Sequence, residues 1–285
     1  MKKISLIVAG IVIAMMNANA QTTAVQPYFE LDQLPKLINI MPEPPAFDSP
    51  EFAADVVRYC WGKQQRQDPD RVAQAIADAE WDDHAKLYGL WKEAFGLEIN
   101  ETATPEIWKL LETSLATTDP MRKETKAHYK RQRPFERYDD TMPSHEEDEL
   151  RGEGSYPSGH SLRGWGISLL LAQIAPGRAD AIFKRGWDYC NSRVIVGAHW
   201  QSDVDNSRTA ASIGFCALQG SEAFIAQMKK AQNEYVAKTQ EASGINATST
   251  DDGVKSLRAY NLHGQSIDDS YRGIVIEEGK KSIRK

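Results

Sequence analysis

The sequence predicts an all-α domain, and three observations carry the prediction. Apolar residues recur at three- and four-residue intervals over most of the chain. Helix punctuation by Pro, Ser, Thr and Gly falls between those runs, and an alternating strand pattern is almost absent. With 285 residues the chain is long enough for one large domain with a full core.

The elements follow in order. Lys2 and Lys3 open the chain, Ile4 to Met16 is apolar almost throughout, and Ala18-Asn19-Ala20 offers small residues for cleavage. That is the layout of a secretory signal peptide over residues 1–20, cleaved after Ala20. The apolar run is short for a membrane span, so export to the periplasm is expected ahead of an uncleaved anchor. No later stretch approaches eighteen consecutive apolar residues, so the mature chain is not expected to be embedded in a membrane. Residues 21–49 are rich in Pro, with Pro42, Pro44 and Pro45 close together, and read as an extended arm laid over the domain.

A helical domain is expected over residues 50–240. The run from Asp70 through Phe95 places Val72, Ile76, Ala79, Trp81, Leu87, Leu90 and Trp91 at helical spacing, interrupted near Asp82-Asp83. Thr104 caps a helix that has Pro105 in its first turn and Ile107, Leu110, Leu111 and Leu115 on one face. A further helix covers about Pro120 to Arg131, followed by a long loop from Pro134 to Tyr156. Ser158 to Ala175 reads as a buried helix, and Arg178 to Val196, Gln201 to Leu218 and Ser221 to Lys238 supply three more. The tail, residues 241–285, is polar, with one apolar run at Gly273 to Ile276, and reads as a loosely attached extension.

Composition narrows the partners. Lys and Arg number 34 against 40 Asp and Glu, a formal net charge of −6. A general nucleic-acid surface would show a basic excess, so nucleic acid is not an expected partner. An anionic substrate must then be held by a local cluster working against the overall field. The 3 cysteines, Cys60, Cys190 and Cys216, permit at most one disulfide, and no Cys/His spacing suggests a metal site. Buried, unreactive thiols are the favoured reading.

Three segments carry chemistry. In the first, Lys126 and Arg133 stand seven residues apart, about two helical turns, so both can point from one face before Pro134 ends the helix. A solvated basic face explains that spacing equally well. In the second, Pro157-Ser158-Gly159-His160 stands where a helix begins, and the first N–H groups of a helix have no internal partners and suit an anion. Gly159 permits close approach to the backbone, and His160 faces the same anion; a plain cap with a surface histidine is the alternative. The third segment sets Ser192, Arg193, Gly197, His199 and Asp203 in fixed order. His199 and Asp203, four residues apart, share a helix face, where a carboxylate can accept from one ring nitrogen and free the other as nucleophile. Arg193 offers a planar fork for two phosphate oxygens.

These segments match K-x6-R-P, P-S-G-H and S-R-x3-G-x-H-x3-D at every fixed position, and so the chain resembles the phosphatidic-acid-phosphatase type 2 superfamily. The context around Arg133-Pro134-Phe135, Gly154-Ser155-Tyr156 and His199 to Asp203 is similar to the bacterial class A non-specific acid phosphatases. The likeness runs from about Leu34 to Lys238 and leaves the tail unmatched. It implies the compact helical fold shared with vanadium haloperoxidases and hydrolysis of phosphate monoesters over a broad range. It further implies a phosphohistidine at His199, orientation of that ring by Asp203, and proton transfer by His160. Lys126, Arg133, Arg193, Ser158 and Gly159 would hold the phosphate, with no metal and no other cofactor. A homo-oligomer is implied by the resemblance alone, and a phosphohistidine intermediate would permit some transfer of phosphate to alcohols instead of water.

Two other readings use the same residues. A vanadate-dependent haloperoxidase would bind vanadate at His199, but such chains are generally much longer. A non-catalytic exported anion-binding protein would need neither His160 nor His199 with Asp203. Membrane lipid phosphatases of the same superfamily thread the bilayer several times, which this chain cannot do. His84, His128, His145 and His263 show no partner spacing and read as surface residues. Trp61, Trp81, Trp91, Trp108, Trp165 and Trp187 read mostly as core, and the acidic run Glu146 to Glu149 as a solvated loop that biases which leaving groups approach.

Overall fold

The computed structural model describes residues 25–242, together with the backbone of four short strands between residues 259 and 284. The signal peptide at residues 1–20 and His263 lie outside the described residues. The chain divides into two units, residues 1–239 and 240–285.

The described residues of the first unit form helices joined by turns and loops. Its helices are α1 (Pro50–Gln65), α2 (Pro69–Ala77), α3 (His84–Gly89), α4 (Lys92–Phe95), α5 (Pro105–Thr118) and α6 (Arg122–Tyr129). They continue as α7 (Pro134–Tyr138), α8 (Glu147–Leu150), α9 (Gly159–Ile174), α10 (Ala179–Ile195), α11 (Gln201–Leu218) and α12 (Glu222–Ala242). Side chains just outside the helices close their open ends. Ser49 accepts from Phe52 at the start of α1, Asp68 from Asp70 and Arg71 at α2, and Asp83 from Lys86 at α3. The cap of α5 differs from expectation. Thr104 turns back to the Asn100 backbone, and Glu234 of α12 instead accepts from the N–H groups of Glu106 and Ile107 at 3.2 and 2.8 Å. A carboxylate from another helix thus neutralises the positive end of α5.

Helix α9 is the axis of this unit. It is apolar on most sides and packs against both α10 and α11, while α1 and α2 cover α10 and α5 covers α9 and α11. The main core gathers Ile167, Leu170, Leu171 and Ile174 of α9 with Trp91, Phe95, Leu110, Leu111, Tyr189 and Phe224. Close approach of α9 to α10 depends on two glycines. A Cβ on Gly164 would come within 2.1 Å of the Tyr189 ring, and one on Gly186 within 2.1 Å of Ser168 Oγ. The N-terminal arm buries Leu34, Leu37 and Met41 against Met121, Tyr156, Leu162 and Ala210.

The second unit adds strands to a tail that the sequence reads only as a polar, loosely attached extension. It contains β1 (Ala259–Tyr260), β2 (Ser266–Ile267), β3 (Gly273–Glu277) and β4 (Lys280–Arg284), forming one antiparallel sheet in the order β2-β1-β3-β4. The apolar run noted in the sequence is β3, whose β-branched residues pair with β4. The cysteines also correct the sequence reading in part. All three are free, but only Cys190 is buried, while Cys60 and Cys216 are exposed.

Gly164→Ala should cost about 1–3 kcal/mol of stability, because the added methyl overfills the α9–α10 contact. Chemical denaturation of the variant beside wild type checks this; an unchanged midpoint would show that the two helices part without penalty.

Candidate active site

Three chain reversals bring the site together. Helix α6 stops at Lys130, which adopts a left-handed φ of 43°, and Arg133 stands at the N-terminal boundary of α7 with Pro134 inside its first turn. The expectation that one helix carries Lys126 and Arg133 is therefore wrong. Pro134 starts a helix here instead of ending one, since a proline is tolerated where no N–H is required. Second, Ser158 caps α9 by accepting from Ser161 N at 3.3 Å, which leaves the N–H groups of the first turn at the cavity. Third, α10 runs out at Gly197, whose φ of 84° suits glycine at a helix end. The following residues fold back, so that His199 N donates to the Arg193 carbonyl at 3.2 Å.

That last turn changes the relation between His199 and Asp203. Helix α11 begins only at Gln201, so His199 precedes it and the two do not share a helix face. Asp203 is a capping residue, and its Oδ2 accepts from Trp200 N at 2.9 Å. The distance from Oδ2 to His199 Nδ1 is 3.6 Å, too long for a hydrogen bond.

Five of the eight expected residues line one cavity of about 490 Å³: Lys126, Arg133, Gly159, His160 and His199. His199 Nε2 lies 3.1 Å from Arg133 Nη1. Arg133 is fixed by the carbonyls of Ala198 at 2.9 Å, Glu153 at 2.9 Å and Gly154 at 3.3 Å, and Lys126 donates to the Gly154 carbonyl at 2.5 Å. Gly159 is closely packed, because a Cβ there would stand 3.1 Å from Arg122 and 3.3 Å from Trp81. His160 packs on Trp81 with ring centroids 4.6 Å apart, and its Nε2 is 3.1 Å from the Ala79 carbonyl.

The other three stand behind the wall. Ser158 and Asp203 are fully buried. Arg193 is fully buried too, because Glu146 covers it: both carboxylate oxygens meet its fork, at 2.8 and 3.0 Å. The acidic run is thus not simply a solvated loop, as Glu146 is an ion-pair partner inside the site. Sequence reasoning also missed Arg122 and Trp81 at the cavity wall, and Arg131 behind Asp203. Only the basic run around Lys130 and Arg131 hinted at the last. Among the described residues no group of His, Cys, Asp and Glu could hold a metal ion.

Burial sets the protonation of this cluster. Desolvation, reinforced by Arg133, Lys126 and Arg193, holds the His199 ring well below the usual histidine range, while the Ser155 backbone works the other way. Desolvation and then Arg193 do the same to His160, against the Ala79 carbonyl. Lys126 is depressed by burial and by Arg133 and Arg122, and Arg133 is lowered to about 10 by burial and Arg193. The pocket gathers Arg122, Lys126 and Arg133 about the two imidazoles, with Glu146, Glu149 and Glu153 also in its lining.

Comparison with known proteins agrees with this arrangement. Residues 110–218 match the model of the PAP2 superfamily. The non-specific acid phosphatase of Providencia stuartii is 37% identical over 210 residues, 73% of this chain and 84% of its own length. The chain belongs to the PAP2 superfamily, and it is an acid phosphatase. The non-specific acid phosphatase of Salmonella typhimurium is 35% identical over 217 residues, 74% of this chain and 84% of that one. An acid phosphatase of Zymomonas mobilis is 32% identical over 193 residues, covering 67% and 72%. No helix among the described residues of this acid phosphatase is long and apolar enough to cross a membrane.

Two measurements follow from the geometry. With both imidazoles held neutral when folded, the unfolded chain takes up protons below about pH 6.5 that the folded enzyme refuses, so stability falls as pH drops through that value. The melting temperature of the anion-free enzyme should decline from about pH 6.5 to 5, and a His160→Ala, His199→Ala double variant should flatten the slope. An equal slope in both would refute the assignment. Any anion reaching Arg193 must displace Glu146, so Glu146→Gln should tighten inhibition by inorganic phosphate about tenfold, the equivalent of ~1.4 kcal/mol. A weaker inhibition would mean that Glu146 supports the fork instead.

Proposed function

We propose that this acid phosphatase is exported to the periplasm and hydrolyses a broad range of phosphate monoesters through a phosphohistidine at His199. The observation that carries the reading is His199 presenting Nε2 to Arg133 in the same cavity that His160 lines. Export rests on the layout of residues 1–20.

In this mechanism Lys126, Arg133 and Arg193 hold the non-bridging oxygens of the ester, and the first N–H groups of α9 complete the cradle. Neutral His199, its proton on Nδ1, attacks phosphorus with the Nε2 lone pair. The new P–N bond forms as the P–O bond to the alcohol breaks, and His160 gives a proton to the departing oxygen. Water then attacks phosphorus, the now neutral His160 accepts its proton, and cleavage of the P–N bond releases phosphate and restores His199. Ala79's carbonyl can only accept, so the His160 Nε2 keeps its proton and Nδ1 is the position that gains and loses the transferred one. A bound dianion supplies the opposite charge that raises the proton affinity of His160, which burial and Arg193 depress. An alcohol in place of water at the second step gives phosphate transfer. Fixed cations take the electrostatic role that a metal ion has in many phosphoryl-transfer sites, so EDTA should leave the rate unchanged.

Rapid quenching with a labelled monoester should trap an acid-labile phosphoenzyme in wild type and none in His199→Ala, whose kcat should fall roughly 10⁴-fold. His160→Ala should lose about 10²–10⁴-fold on an alkyl phosphate and far less on p-nitrophenyl phosphate, whose leaving group needs no proton. Undiminished turnover by His199→Ala would end this reading.

A further inference from the structure

Asp203 stops short of His199, and the contacts of the carboxylate show why. Oδ2 is taken by Trp200 N, while Oδ1 accepts from Arg131 Nη1 at 2.6 Å. His199 Nδ1 is left buried without a hydrogen-bond partner. Arg131 is in turn anchored from the other side. Its Nη2 donates to Asp55 Oδ2 at 2.9 Å and to the Pro45 carbonyl at 3.3 Å, and Nη1 also reaches Ser202 Oγ at 2.8 Å. Asp55 is itself fixed by Ser202, whose N–H and hydroxyl donate to it at 2.8 and 2.6 Å. The rings of Phe47, Phe52 and Trp200 lie 5.8, 5.9 and 5.7 Å from the guanidinium and exclude water from it. Arg131, Asp55 and Asp203 are 5%, 3% and 0% exposed, so a solvated surface pair is not an adequate description.

We propose that Arg131 is a positioning residue of the phosphatase reaction: anchored by Asp55, it holds one oxygen of Asp203 and so sets how closely that carboxylate engages the ring of His199. The proposal rests on the reading of His199 as nucleophile. A carboxylate in full contact with an imidazole favours the charged ring, and a charged ring has no lone pair for phosphorus. The groups that face His199 are Arg133 before α7, Lys126 on α6, Arg193 on α10, His160 on α9 and Asp203 on α11, with Glu146 beyond Arg193. Asp203 is the anion nearest the ring, and Arg131 shares its charge. The cations then prevail, and the ring stays neutral in acid, where this class of enzyme is named for working.

The test removes the pair without leaving a net charge. In Arg131→Met combined with Asp55→Asn, Asp203 loses its partner and turns to His199. The acid limb of the kcat/KM profile should then move up by about one pH unit, with activity at pH 5 down about 10- to 100-fold and partly recovered near neutrality. Titration of the His199 ring by ¹⁵N resonance should shift the same way. A uniform loss at all pH values with an unmoved limb would reduce Arg131 to scaffolding and overturn the proposal. If the double variant does not fold, Arg131→Lys serves, since an ammonium lacks the two-armed fork; a limb that stays in place there overturns it equally. The ring titration needs no turnover, so failure of the nucleophile assignment, seen as activity in His199→Ala, is distinguishable from failure of Arg131.

Discussion

The structure depends on holding several like charges together out of water. Arg133 and Arg193 are almost fully buried, Lys126 stands beside them, and two imidazoles lie between. Such a cluster is repulsive and poorly solvated, and it survives only because every cation is tied down. The ties are of two kinds. Arg133 and Lys126 are bound by backbone carbonyls of Glu153, Gly154 and Ala198, which offer partial charge and leave the cations electrostatically hungry. Arg193 is bound by a full carboxylate, that of Glu146, and is neutralised until something replaces it. The first pair makes the cavity attractive to a dianion, and the second sets a threshold for entering it.

The fold serves this arrangement by closing distances that sequence separation opens. Helix α9 delivers its N-terminus to the cavity floor, and its glycine-lined contact with α10 brings Arg193 near enough to share an anion with it. Backbone bonds then lock the intervening segments, Ser155 N to the Arg131 carbonyl at 2.8 Å and Phe135 N to the Gly197 carbonyl at 3.1 Å. These two bonds join the second and third motifs to the first directly. The geometry therefore rests on main chain as much as on the side chains of the motifs.

Much of this was legible in the sequence. The long helices α9, α10 and α11 follow from apolar runs bounded by Ser158, Pro176-Gly177 and Gly197, because burial and backbone punctuation act locally. Five of the eight expected residues, picked out by type because a phosphoryl group calls for forks, an ammonium, a helix start and imidazoles, line one cavity. Local spacing failed at chain reversals. Lys126 and Arg133 sit at a helical interval but straddle the end of α6, where left-handed Lys130 redirects the chain, and His199 precedes the start of α11 at Gln201 while Asp203 lies inside it. Partners from distant elements were also invisible. Glu146 meets Arg193 across 47 residues and Arg131 meets Asp55 across 76, and nothing in either neighbourhood announces the other. The strands of the tail escaped notice because β1 and β2 are two residues each, too short for an alternating pattern to register.

The placement of Asp203 separates this site from the familiar logic in which a carboxylate grips the catalytic histidine. In that logic the carboxylate stabilises the imidazolium that forms when the ring acts as a base. A histidine that attacks phosphorus has a different need. It must resist protonation before the attack, and it becomes cationic only once a phosphoryl group is attached. Positive neighbours supply the resistance, and the bound dianion supplies the compensation when the charge appears. A carboxylate held 3.6 Å away by Arg131 is close enough to favour the correct tautomer, yet too far to draw the ring into premature protonation. With His199 as the proposed nucleophile, activity in acid would follow from the balance between one restrained anion and the cations around a buried ring.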